Sequence, residues 1–253
     1  MSAQASPSLP KNTIFYACVL PPHRDYVTEA LIFPGTNARD PYQLKGSFSF
    51  VCDVVSGGSV IARTEPHDCD ELGHVRINLE SAMKDVTEPD ASYALVQLES
   101  TANIPVAFYF AHIHRGTGLY YPAPAIMFMG DMIYPHIHGG QLENTLFWPG
   151  VHYGSNTEFR LAMVNPYEVP MSVEVTGWHN TRGSCGSGVI RVSPHHCKWL
   201  ALDDWLPAKW REDGEPISIS VAAQFKLVAK MFMINRANGI ITSADHLHTY
   251  QLH

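Results

Sequence analysis

Apolar and polar residues alternate with a period of two along much of this chain. The first half holds "SFSFVCDVV" (47–55), "YALVQLES" (93–100) and "PVAFYFAHIH" (105–114). The second half holds "FRLAMVN" (159–165), "MSVEVTGWH" (171–179), "GVIRVS" (188–193) and "ISISVAAQF" (217–225). Each run is short, rich in β-branched and aromatic residues, and bounded by Gly, Pro, Asn or Asp. That pattern predicts strands, because side chains of a strand point alternately to its two faces. Helical spacing is sparse. Only "LESAMKDV" (79–86) and "ALDDWLP" (201–207) predict short helical turns. The acidic pair Asp203-Asp204 sits where a helix would start and favours its dipole, so we read it as structural. The expected fold class is all-β.

The pattern also repeats. "CVLPPH" (18–23) is similar to "DMIYPH" (131–136), "EALIFPG" (29–35) to "NTLFWPG" (144–150), "PHDC" (66–69) to "PHHC" (194–197), and "VAFYFAHIHRGTG" (106–118) to "VAKMFMINRANG" (228–239). The four matches keep their order, as a duplication with loop insertions would. The reading is a disordered leader over 1–12, one repeat over 13–118 and a second over 119–253, with "RGTGLYYPAPA" (115–125) as linker. Each repeat has the length of a β-sandwich, and the two are expected to pack as a pseudo-dimer.

Composition narrows the partners. Only 16% of residues are charged and 11% are aromatic, which favours a large buried area over disorder. The net charge is −7 and there is no basic run, so neither nucleic acid nor an anionic membrane surface is an expected partner. No apolar run reaches the roughly 20 residues of a membrane helix. Residues 1–13, "MSAQASPSLPKNT", lack the basic and apolar regions of a signal peptide. The cysteines Cys18, Cys52, Cys69, Cys185 and Cys197 are odd in number and form no CxxC, which suits reduced thiols. The expected compartment is therefore the cytoplasm.

Fourteen histidines cluster rather than scatter. His-Ile-His occurs at His112/His114 and again at His136/His138. On a strand, residues i and i+2 share a face about 6–7 Å apart, close enough to converge on one ion. Imidazole suits iron, copper or zinc, and spacing does not choose among them. Residues 130–150 also mimic a first cupin motif, with His136, His138 and Glu143 as ligands, so a cupin-like β-barrel is the alternative fold. The second motif has only "VSPHHCKW" to supply it, and that lacks the expected Gly. The PHDC and PHHC turns are retained in both copies, which suggests a turn the fold itself uses. Their functional reading makes His195 a ligand or general base. His112 and His114 align with Ile234 and Arg236, and His138 with Asp25, so the histidine pairs are additions to one copy each. The tail "ADHLHTYQLH" reads as free. No GxSxG, P-loop, HExxH or GxGxxG is present.

One family resemblance follows from these segments. The "PPH" and "YPH" strand ends, "EALIF" and "NTLFW", the turn into "LALDDWLP", and "VQLESTANIPVAFYFAHIHR" resemble the small β-sandwich of the sensory rhodopsin transducer family. The His pairs, the PHxC turns and the insertion "TNARDPYQLKG" depart from it. The resemblance implies a β-sandwich that oligomerises and binds a partner or small ligand, without catalysis. The residues themselves support a different first expectation. This is a metal-dependent enzyme acting on a small molecule, an oxidoreductase or oxygenase before a metal-assisted hydrolase. Its ligands would be His112, His114, His136 and His138, with Glu143 as ligand or base and Arg115 on an anionic substrate group. The alternative is a non-catalytic ligand- or protein-binding adaptor. A homo-oligomer fits either.

Overall fold

The computed structural model describes residues 14–22, 24–34, 48–69, 75–84, 92–99, 106–129, 137–138, 141–142, 145–154, 156–211 and 214–246. The chain divides into two compact units, Met1–Asp131 and Met132–His253. Both are built of antiparallel strands. Among the described residues no helix is long and apolar enough to cross a membrane.

The first unit contains β1 (Ile14–Val19), β2 (Tyr26–Pro34), β3 (Phe48–Ser56), β4 (Ser59–Arg63), β5 (His67–Cys69), β6 (Val75–Asn78), β7 (Ser92–Glu99), β8 (Val106–His114), β9 (Tyr120–Pro124) and β10 (Ile126–Met129). One sheet runs β10-β1-β7-β3-β4, with β5 also on β3; the other runs β6-β2-β8-β9. The second unit opens with a small ribbon of β11 (Ile137–His138) and β12 (Gln141–Leu142). Then come β13 (Thr145–Val151), β14 (Thr157–Asn165), β15 (Met171–His179), β16 (Gly183–Val192) and β17 (His196–Ala201). Two one-turn helices follow, α1 (Leu202–Trp205) and α2 (Ala208–Arg211), and then β18 (Ile217–Ala223), β19 (Val228–Asn235) and β20 (Ile241–His246). Its sheets run β13-β18-β15-β16 and β17-β14-β19-β20.

Eight strands of each unit match in order. The order β1-β7-β3-β4 corresponds to β13-β18-β15-β16, and β6-β2-β8-β9 to β17-β14-β19-β20. The strand order of one unit is thus repeated in the other. The alternation in sequence is also the alternation in burial. In β15, Met171, Val173 and Val175 are buried while Glu174 and Trp178 are exposed. In β18, Ile217, Ile219 and Val221 face inward with them. Leu161 and Met163 of β14 and Met231 of β19 close the core from the opposite sheet. Each such buried side chain contributes roughly 1.5–3 kcal/mol relative to exposure.

Four expectations are revised. The stretch read as a linker is the β8–β9 hairpin: Tyr120 pairs with Ile113 and Tyr121 with His112. With β9 and β10 held in the first unit, the boundary falls after Asp131 rather than after residue 118. Residues 29–34 of "EALIFPG" lie on β2 and residues 145–150 of "NTLFWPG" on β13, whose topological counterpart is β1, so that match is not a true equivalence. Among the described residues no cupin-like barrel is formed, because each sheet ends in edge strands and none closes. Cys18, Cys52 and Cys197 are buried free thiols. Asp203 in α1 takes ion pairs from Arg236 and Arg211, which agrees with a structural role.

Candidate functional site

The turn after β8 and the turn after β19 set the exact alignment of the two units. In the first unit, the Gly118 amide donates to the His114 carbonyl at 2.8 Å, the His114 amide to the Leu119 carbonyl at 2.8 Å, and the Arg115 amide to the Asp25 carbonyl at 2.8 Å. In the second unit, the Gly239 amide donates to the Asn235 carbonyl at 2.7 Å, the Asn235 amide to the Ile240 carbonyl at 2.9 Å, and the Arg236 amide to the Asn156 carbonyl at 2.9 Å. The glycines share the left-handed backbone, with φ of 69° at Gly118 and 70° at Gly239. That conformation carries no Cβ penalty in glycine. His114 therefore corresponds to Asn235, and His112 to Met233. The sequence alignment, which set them against Arg236 and Ile234, is one residue out.

Along the strands, Thr28-His112-Tyr121 in the first unit lies where Phe159-Met233-Ser243 lies in the second. These two cross-strand rows are one place in the scaffold with two contents. In the first unit the place is filled. His112 is fully buried and its Nδ1 lies 2.9 Å from Thr28 Oγ1. Its ring sits 4.9 Å from that of Tyr121 and stacks at 6.5 Å on Phe110. Tyr26 packs edge-on against both Tyr121 and His114. Burial, with Tyr26 and Cys18 nearby, pushes the Tyr121 phenol well above its ordinary value, so it stays neutral.

In the second unit the same place is open. A cavity of about 270 Å³ is lined by Trp148, Val151, Phe159, Met231, Met233 and Ser243, with Gly150 and His152 completing it. The lining is apolar, as ligand pockets usually are, with few polar groups. Trp148 is almost wholly buried, and its indole N–H has no hydrogen-bond partner among the described residues. A bulge between Trp148 and Val151 bends β13 here, and Gly150 supports it with φ of 73°.

Of the site residues expected from sequence, His112 and His114 do share one face of β8. His114 Nδ1 accepts the Thr117 amide at 3.1 Å and lies 3.0 Å from Thr117 Oγ1. A neutral imidazole has one lone-pair nitrogen, so the remaining Nε2 carries a proton in this arrangement. Asn235 also accepts a backbone amide of its turn, but a different one: that of Ala237, the counterpart of Gly116, at 2.9 Å. Arg115 is exposed and donates to Glu80 at 2.8 Å. His195 lies elsewhere, in the turn between β16 and β17, with φ of 56° and the His196 amide bonded to the Ser193 carbonyl at 3.2 Å. Pro194 before a left-handed His195 makes this a type II turn. Burial pulls the His195 imidazole below its ordinary value. His136 and Glu143 lie outside the described residues, as does the side chain of His138. Among the described residues, no three His, Cys, Asp or Glu side chains gather where they could hold a metal ion.

The cavity residues were missed in the sequence. No motif or spacing in the sequence singles out Trp148, Phe159, Met231, Met233 or Ser243. Aligning "RGTG" with "RANG" sets Tyr121 against Thr242; the bulge in the β19–β20 pairing shifts the register by one residue and brings Ser243 opposite Met233, so the lost ring shows only in the structure.

No protein-family model matches this chain, and no curated protein does. Among solved structures, it is similar to Thermotoga maritima 1070, at a TM-score of 0.36 and 14% identity over 42% of this chain and 92% of that one.

Proposed function

We propose that the protein is a non-catalytic binding protein whose second unit holds a small, mostly apolar ligand bearing a hydrogen-bond acceptor. The observation that carries this is the contrast within one chain. The place filled by Tyr121, His112 and Thr28 in one copy is an open cavity among Trp148, Phe159, Met231, Met233 and Ser243 in the other. Aromatic and thioether side chains supply a polarisable, adaptable lining. The Trp148 N–H supplies one buried donor, and a ligand acceptor there would satisfy it. The resemblance to the sensory rhodopsin transducer family points the same way, to binding rather than catalysis. The test is a fragment screen read by tryptophan fluorescence and ligand-observed NMR, run on wild type and Ser243→Tyr. Small aromatic fragments that bind wild type and lose at least tenfold in affinity to Ser243→Tyr support the reading. No binding by any fragment, or binding that ignores the substitution, refutes it.

A second reading retains one supporting observation, the common face of His112 and His114. It is the metal-dependent oxidoreductase or hydrolase with iron, copper or zinc, completed by His136 and His138. Thr28 beside His112 Nδ1 is the kind of partner that orients a metal-ligating imidazole. Metal content by plasma mass spectrometry decides it. About one ion per chain, lost in both His112→Ala/His114→Ala and His136→Ala/His138→Ala, supports a shared centre. A metal-free wild type after reconstitution removes the reading.

A further inference from the structure

Met231 and Met233 are two residues apart on β19, and both line the cavity of the second unit, because side chains at i and i+2 share a face of a strand. Met231 is 4% exposed and Met233 is 37% exposed, so one thioether lies deep and the other at the opening. His152, one residue past β13, is exposed and lines the same cavity from the other sheet. Its Nε2 lies 4.0 Å from the point a Cβ on Gly150 would occupy. Gly150 is itself part of the lining, so the imidazole turns back toward the bulge rather than away from it.

We propose that Met231, Met233 and His152 form a binding site for a soft monovalent metal ion, Cu(I). The donor set selects the ion. Thioethers bind soft ions and leave hard ones to oxygen ligands, and imidazole binds copper readily. Zinc sites use thiolate, imidazole and carboxylate, and among the described residues no Cys, Asp or Glu lines this cavity. Methionine has three rotatable bonds, so two sulfurs on strand positions roughly 6–7 Å apart can close on one ion. Trp148 adds an aromatic wall, and the quadrupole of an indole ring attracts cations. Other described histidines are engaged within the fold. His112 Nδ1 lies 2.9 Å from Thr28 Oγ1, His114 Nδ1 accepts the Thr117 amide at 3.1 Å, and His196 Nδ1 bonds the Pro194 carbonyl at 2.6 Å. His152 makes no such bond among the described residues. The duplicated scaffold points the same way. Met231 and Met233 stand where Phe110 and His112 stand in the first unit, and those two are fully buried. The thioether pair therefore occurs in the copy that is open. An ion fills little of a cavity of about 270 Å³ and leaves room for the apolar ligand proposed above.

The test is methionine methyl NMR on the full chain, with reactive thiols capped by N-ethylmaleimide and Ag(I) as the probe. Ag(I) shares the filled d shell and the softness of Cu(I), and air does not oxidise it. Nine methionines give the candidate signals. Met231→Leu and Met233→Leu assign two of them while conserving side-chain volume. The expected result is that these two signals shift together and saturate at about one ion per chain, while Zn(II) moves neither. Affinity should fall about tenfold or more in His152→Ala and in Met233→Leu, at least the loss that follows removal of a group that only orients a ligand. Met233 is at the opening, so Met233→Leu keeps the test readable should Met231→Leu fail to fold. A titration that leaves both signals in place overturns the inference. So does a Zn(II) response equal to that of Ag(I), or a His152→Ala protein that binds Ag(I) as wild type does. Fragment binding in the cavity with no response to Ag(I) would remove the metal site and leave the apolar ligand standing.

Discussion

Tyr121 and Ser243 stand at the same point of two equivalent sheets, opposite His112 in one and opposite Met233 in the other. One ring of difference separates a packed sandwich end from an open one. Exchanging the two residues should therefore exchange the two states. Tyr121→Ser removes a buried ring and is expected to cost about 3 kcal/mol of stability, in the range for deleting a large aromatic from a core. Ser243→Tyr should lose no stability and should close the cavity to fragments. Urea unfolding of both variants, with the fragment screen on the second, checks this. A Tyr121→Ser protein as stable as wild type would mean that the first unit is not packed around that ring.

The buried bond between His112 Nδ1 and Thr28 Oγ1 gives a second expectation. Thr28→Val keeps the shape and removes this partner of the imidazole, which should cost about 1–3 kcal/mol. His112→Phe strands the Thr28 hydroxyl in the same way. The double variant Thr28→Val/His112→Phe removes both polar groups and should recover part of the loss. A double-mutant cycle by chemical denaturation measures the coupling. Strict additivity of the two substitutions would show that the pair does not interact.

Strand identity was legible in the sequence because burial in a sandwich follows the period-two pattern. Val173, Val175, Ile219 and Val221 hold alternating apolar positions in the strings "MSVEVTGWH" and "ISISVAAQF", and they are buried. The duplication was legible too, yet its alignment was not. Short apolar strings such as "EALIF" and "NTLFW" match any strand of the fold, so they paired β2 with β13. Only backbone geometry that a residue type must satisfy fixes register, and that is the left-handed Gly118 and Gly239. The cavity escaped notice because it is made by what is missing at Ser243. Composition marks residues that are present, and histidines draw attention more readily than the absence of a tyrosine. His114 shows the same bias: its spacing to His112 suggests a ligand, while its Nδ1 caps a turn.

His195 should make stability depend on pH below its ordinary value of 6.5, because burial lowers its folded-state value. Above that pH the imidazole is neutral in both folded and unfolded chains, and it contributes no slope. As the pH falls below it, the unfolded chain takes up the proton first, so stability declines until the folded protein protonates as well. His195→Asn keeps a side chain that tolerates the left-handed backbone and removes the titration. Unfolding curves collected across this range should be flatter for the variant than for wild type. Parallel curves would exclude His195 as a source of the slope.

The pairing of His114 with Asn235 separates the two readings of the histidines. Both side chains accept a backbone amide inside the same turn, from Thr117 in one case and Ala237 in the other. If turn capping is the whole role of His114, then His114→Asn transplants the residue used by the other copy. Stability should stay within about 0.5 kcal/mol of wild type, while His114→Ala should lose about 1 kcal/mol by leaving the Thr117 amide without its acceptor. A metal ligand behaves differently. His114→Asn would then release the ion and lower the melting temperature toward that of chelated wild type, because bound metal stabilises only the folded chain. Thermal unfolding of wild type, His114→Asn and His114→Ala, each with and without chelator, distinguishes these outcomes. Equal melting temperatures for wild type and His114→Asn in both conditions would assign His114 to the turn.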